Sequence, residues 1–109
     1  MPHQDLNARK AIVSQDNVTV NSGSNYGFHR VGNYRSFTGT AYAVGSMAVR
    51  LQSQMSQTGP VLASSVWNVS SGANFLSVPN RAPFITVDVT IAQSGGVTGS
   101  ILLIGEPLS

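Results

Sequence analysis

Apolar side chains recur at every second position along most of this chain, and that period restricts it to extended strands with one buried face. The clearest run is Phe84 to Ile91. Ile85, Val87, Val89 and Ile91 fall on one side, and Thr86, Asp88 and Thr90 on the other. Ser46 to Gln52 repeats the pattern, with Met47, Val49 and Leu51 inward and Arg50 and Gln52 outward. Residues 61–69 put Val61, Ala63, Trp67 and Val69 on one face. Residues 97–104 alternate less and end in four apolar residues, as a strand covered on both faces does. Met47, Leu51 and Met55 also lie four apart, which suits a helix, but the two-residue alternation and the flanking Gly45 favour a strand.

Turn formers divide these runs: Gly59-Pro60, Ser71-Gly72, Pro79-Asn80, Pro83 and Ser94-Gly95-Gly96. Residues 92–96 read as a hairpin connection. Residues 11–20 hold one or two short strands; residues 26–31 and 34–44 give two more, parted near Gly32-Asn33. A further short strand covers residues 75–78, and the polar stretch 52–60 reads as a long exposed loop. The expected fold is all-β: a single antiparallel β-sandwich of jelly-roll type, with about seven or eight strands. Residues 1–12 lack periodicity and are expected to form an irregular N-terminal arm, and 13–109 the sandwich domain.

Charge is scarce. Only 9% of residues are charged, against about 25% in an ordinary soluble domain. Ser, Thr, Asn and Gln take their place, 36 residues in all. Hydroxyls and amides can be desolvated more cheaply than carboxylates and ammoniums, provided each finds a hydrogen bond. Such a surface suits a protein packed against other copies or other proteins.

The same scarcity argues against chemistry. There is no cysteine, so neither a disulfide framework nor a thiolate metal site is possible. His3 and His29 are the only candidate bases for a nucleophilic triad, and no G-x-S-x-G elbow is present. Asp5, Asp16, Asp88 and Glu106 form no pair in the sequence that suggests glycoside hydrolysis. No phosphate-binding glycine loop leads into a helix. The chain is therefore expected to be no enzyme and to hold no cofactor or metal. Six basic residues are spread thinly despite a net charge of +2, so nucleic acid is not an expected partner. No apolar run is long enough to span a membrane as a helix. Nor is there a signal-peptide h-region, so synthesis in the cytoplasm is expected, and the sequons at Asn17 and Asn68 read as chance.

One stretch concentrates contact-forming side chains. Residues 26–37 hold four of the eight aromatics and two arginines. Tyr26, Phe28, Arg30, Tyr34 and Arg35 are the candidate interface or ligand residues, because aromatic faces with interleaved arginine stack on sugars or bases and are enriched at protein interfaces. The plainer account puts Tyr26, Phe28 and Phe37 in the core and leaves the arginines in water. Trp67 shares its face with valines and reads as core.

The order of signals from Gly45 to Gly105 carries a resemblance. An alternating strand at 46–52 leads to Ser65-Val-Trp-Asn-Val69, then Phe75-Leu-Ser-Val78, then Pro83-Phe-Ile-Thr-Val-Asp-Val89, then the closing apolar strand. This resembles small β-sandwich virion proteins of bacteriophages: capsid decoration or cement proteins and head-to-tail or tail accessory proteins. Gly59-Pro60 stands where members often carry an Asp-Gly turn. No functional residue transfers. The resemblance implies a structural virion protein, assembled in the host cytoplasm, that bridges adjacent major capsid subunits as a dimer or trimer. The alternatives are a carbohydrate- or receptor-binding module of a phage tail or head fibre, for which Tyr26, Tyr34 and Trp67 are the aromatic candidates, and a minor neck or tail protein.

Overall fold

The computed structural model describes residues 9–107. Six strands follow one another: β1 (Lys10–Val20), β2 (Asn25–Arg30), β3 (Tyr34–Gln54), β4 (Val61–Pro79), β5 (Phe84–Ala92) and β6 (Val97–Pro107). All pairings are antiparallel and belong to one sheet. The fold is all-β as expected, with fewer strands than the expected seven or eight.

The difference lies in β3 and β4. Each joins two expected strands, because Ser71-Gly72, expected as a turn, lies opposite the Val44-Gly45 junction and bends the pair instead of ending it. Ala43 pairs with Gly72 and Ser46 with Ser70, so Val44 and Gly45 stand opposite Ser71. This is a bulge, and bulges bend a strand without terminating it. Ser71 takes the left-handed conformation there, at φ 50°. The stretch 52–60 is shorter as a loop than expected. Ser53 and Gln54 are strand residues and buried, with Gln54 Oε1 accepting a 2.6 Å hydrogen bond from Thr86 Oγ1.

The bend gives the sheet two arms. Residues 34–43 of β3 pair with β6, which pairs with β1; residues 47–54 pair with β5, which pairs with β2. Strand β4 follows β3 along both arms. The sheet is thus curled into a half-barrel, and the two layers foreseen for a sandwich are arms of one sheet. Its least dimension, 18 Å, fits two layers about 10 Å apart with their outward side chains. One core lies between them. Phe37, Ile101 and Leu103 come from the first arm, and Val49, Ile85, Val87 and Val89 from the second, all fully buried. Trp67 belongs to this core, as its valine neighbours suggest, but Val61 at the start of β4 is exposed.

The β5–β6 turn is tight. Gly96 N–H donates to Gln93 C=O at 2.8 Å, and Gly95 supplies the φ of 84° that a side chain would resist. Of the expected arm, residues 1–8 lie outside the described residues, as does His3; Lys10 to Ile12 are part of β1.

Candidate functional site

Two surfaces stand out: a cleft beside the aromatic stretch, and an apolar outer face.

The cleft opens where β1 and β2, the outermost strands of the two arms, come near each other. Its volume is about 340 Å³, and its walls are Lys10, Ala11 and Ile12 of β1, Phe28, His29 and Arg30 of β2, and Tyr34. It brings together three of the five candidate residues, Phe28, Arg30 and Tyr34, and leaves out Tyr26 and Arg35. The sequence could not have supplied Phe84, which organises the group from β5. Phe28 stacks on Phe84 at 4.9 Å between ring centroids, and the Arg30 guanidinium lies 5.8 Å from the centre of the same ring. The register sets this up, because Arg30 faces Phe84 across the β2–β5 ladder.

Tyr34 is held by its neighbours. A Cβ on Gly105 would lie 2.7 Å from its ring, so the ring rests on bare β6 backbone. Asn80 ties down the loop before it, its Nδ2 donating to the carbonyls of Val31 (2.7 Å) and Tyr34 (2.9 Å). Arg35 points elsewhere and donates to the carbonyl of Pro107 at 3.0 Å. Tyr26 is half-buried against the core, and burial pushes its phenol pKa above the ordinary value despite a bond from Ser24.

None of this makes a catalytic centre. His29 Nε2 lies 2.7 Å from the Tyr26 carbonyl, which can only accept, so this nitrogen carries the proton. The carboxylates of Asp88 and Glu106 are bonded to Arg50 and to Arg9 with Thr38. Among the described residues no three metal-ligating side chains converge. No helix there is long and apolar enough to cross a membrane. Trp67 and Tyr34 are both buried, so neither presents an open face on which a sugar would stack.

The outer face is different in kind. Thr40 pairs with Leu102 on one side and Phe75 on the other, placing these two apolar side chains in one outward row across β6, β3 and β4. Phe75 is 72% exposed and Tyr42, two residues along from Thr40, 49%. At the bend, Val44 and Ile91 are exposed as well, and Ile91 borders a groove of about 230 Å³ with Met47, Ala48 and Val69. The sequence placed Ile91 on the buried face of β5. The structure leaves it at 67% exposure, because the β3–β5 ladder shifts register between Ala48 and Val49, just past Val89.

No family model matches the chain, and no curated protein does. The fold has a solved counterpart. A subunit of Bacillus endospore appendages, described as disulfide-linked pili, superposes with a TM-score of 0.52. The match covers 94% of this chain and 88% of the other at 13% identity, which speaks for the fold alone. A looser likeness, TM-score 0.40 at 8% identity, extends over 97% of this chain and 90% of the coat protein of tobacco streak virus. The likeness to the pilus subunit shows a shared all-β fold, and neither likeness is specific to bacteriophages.

Proposed function

We propose that this chain is a structural subunit that assembles with copies of itself into a larger particle or filament. The observation that carries the reading is the outer face: Tyr42, Phe75 and Leu102 are exposed on three adjacent strands. Contiguous exposed apolar surface marks interaction sites in soluble proteins. The flanking rows hold Thr38, Ser77 and Ile104 on one side and Ala73 and Ser100 on the other, and the nearest charges, Asp16 and Glu106, are already hydrogen-bonded by Ser100 and Thr38. The fold shared with a pilus subunit supports the same reading. The disulfide linkage named for those pili has no equivalent here, since the chain contains no cysteine. Assembly of this chain is therefore without disulfide links.

Within that reading, the role we favour is on a virion, where the subunit bridges adjacent capsid proteins so that opening the shell also breaks its contacts. Support for this narrower role is the resemblance over residues 45–105 together with the low charge.

Light scattering across a concentration series tests the general reading. Wild-type protein is expected to form defined oligomers, and Leu102→Glu to shift them toward the monomer. A strict monomer at every concentration overturns the reading. Co-sedimentation with phage shells that lack a decoration protein tests the narrower role, and protein left wholly in the supernatant rejects it.

A further inference from the structure

Three strands end the sheet: β1, β2 and β4. An end strand offers a row of unpaired backbone donors and acceptors, and proteins that stay apart protect such edges with charge, proline, bulges or shortness. Two of these edges are protected. Strand β2 has six residues, an irregularity between Asn25 and Phe28, and Arg30 at its end. Strand β1 has two irregularities and carries Lys10 and Asp16. Strand β4 is another matter. It runs for 19 residues with no charged side chain and no proline before Pro79. It pairs with β3 alone. On its own backbone Asn74 covers two positions, its Nδ2 donating to the Asn68 carbonyl at 2.6 Å and its Oδ1 accepting from Phe75 N–H at 2.8 Å, while Ser71 Oγ donates to the Val44 carbonyl of β3 at 3.3 Å.

The bend at Ser71 gives β4 an internal symmetry. Before it, Trp67 and Val69 point inward beside Val49 and Met47; after it, Leu76 and Val78 lie beside Gly39 and Phe37. Ser64, Val66 and Asn68 therefore face outward on one side of the bend, and Ala73, Phe75 and Ser77 on the other. A second β4 laid antiparallel, with the two bends coincident, sets outward residues against outward residues. Val66 then meets Phe75, Ser64 meets Ser77 and Asn68 meets Ala73, each pair occurring twice. Val66 and Phe75 are both exposed apolar side chains in the single chain. No charge is buried and no like charges are opposed, since β4 has none.

We propose that two copies of this chain join edge to edge by antiparallel pairing of β4 with β4, around a two-fold axis at the Ser70–Ser71 bend. The proposal rests on the self-assembly reading and names its first contact. Such an interface is isologous and closes on itself, so the dimer is the unit from which larger assemblies grow. On pairing, Asn68 and Phe75 exchange the Asn74 amide for the partner's backbone.

The chain has no cysteine, so introduced ones report without background. Ser64→Cys and Ser77→Cys, both at exposed positions, are to be oxidised separately and as a mixture. The mixture is expected to yield a disulfide-linked dimer and neither variant alone to do so, because only opposite residues come within the 4.4–6.8 Å Cα separation a disulfide needs. Thermal melts matching wild type show that each variant folds. Phe75→Lys, which sets a charge against the partner's Val66, is expected to weaken the dimer by about tenfold or more with an unchanged monomer melt. Self-linking of Ser64→Cys overturns the proposed register. Oligomers that persist with no Ser64–Ser77 link overturn the β4 junction while self-assembly stands. A strict wild-type monomer overturns both.

Discussion

The indole of Trp67 on β4 lies against Gly39 on β3, so closely that a Cβ on Gly39 would sit 3.4 Å from its Cζ2. Gly39 pairs with Leu103 and Leu76 in the first arm, whereas Trp67 pairs with Val49 in the second. The contact therefore spans the curl of the sheet. Trp67 Nε1 is also the buried side-chain polar atom without a hydrogen-bond partner among the described residues.

These two facts oppose each other in substitutions of Trp67. Trp67→Ala is expected to cost about 3–5 kcal/mol, as large aromatic truncations in cores do. Trp67→Phe loses volume but also removes a buried donor whose desolvation costs about 1–3 kcal/mol. It should stay within about 1.5 kcal/mol of wild type by urea unfolding. A larger loss would show that the indole N–H is satisfied in solution.

Gly99 and Gly45 should respond differently to alanine. A Cβ on Gly99 would meet the Tyr42 carbonyl oxygen at 2.8 Å, and backbone of the next strand cannot step aside. A Cβ on Gly45 meets the Gln93 side-chain amide, the end of a flexible side chain held there by one long hydrogen bond from Ser46 N–H at 3.4 Å, and the Val97 side chain at 3.2 Å. Gly99→Ala is expected to destabilise by about 1–3 kcal/mol, the usual range for overpacking, and Gly45→Ala by clearly less. Equal losses in thermal denaturation would contradict the distinction.

Arg50 and Asp88 form a two-pronged pair across β3 and β5, with Nη2 to Oδ2 at 2.6 Å and Nε to Oδ1 at 3.0 Å. The pair is partly open to water, so its worth is limited to about 0.5–1 kcal/mol. A double-mutant cycle with Arg50→Gln and Asp88→Asn should return a coupling of that size, shrinking in high salt. A salt-insensitive coupling would contradict the solvated geometry.

Glu106 accepts hydrogen bonds from Thr38 Oγ1 at 2.9 Å and from Arg9 at 3.0 Å, and these hold its carboxyl below the ordinary pKa. A depressed folded value means that its contribution to stability is complete above the unfolded pKa, about 4.3. It is lost as pH falls through the lower folded value. Carboxyl NMR should show Glu106 titrating below an ordinary glutamate, and Thr38→Val should raise its midpoint. An unmoved midpoint in that variant would remove Thr38 as the leading cause.

Much of the fold was legible because alternation is a local signal. Ile85, Val87 and Val89, and Met47, Val49 and Leu51, are buried as their spacing requires. What failed was punctuation. Ser71-Gly72 looks like a turn former in isolation, and only its place opposite Val44 and Gly45 across β3 and β4 reveals a bulge. The candidate residues show the same limit. Phe28 and Arg30 were visible as a local concentration, but Phe84, which both contact, is 54 residues beyond Arg30 and enters through strand register. The exposure of Phe75 could not be read at all, since a phenylalanine in an alternating strand ordinarily points inward.

The pairing of Lys10 with Gly105 has a consequence for how the molecule is made. Of the six described strands β1 is made first, and β6, its ladder partner among them, is made last. Strand β3 likewise waits for β6 to cover its first half. Sequence-distant pairing costs loop-closure entropy before any contact rewards it, so folding is expected to be slow. Until β6 pairs, β1 and the first half of β3 stand without that partner, while β4 can already pair with β3.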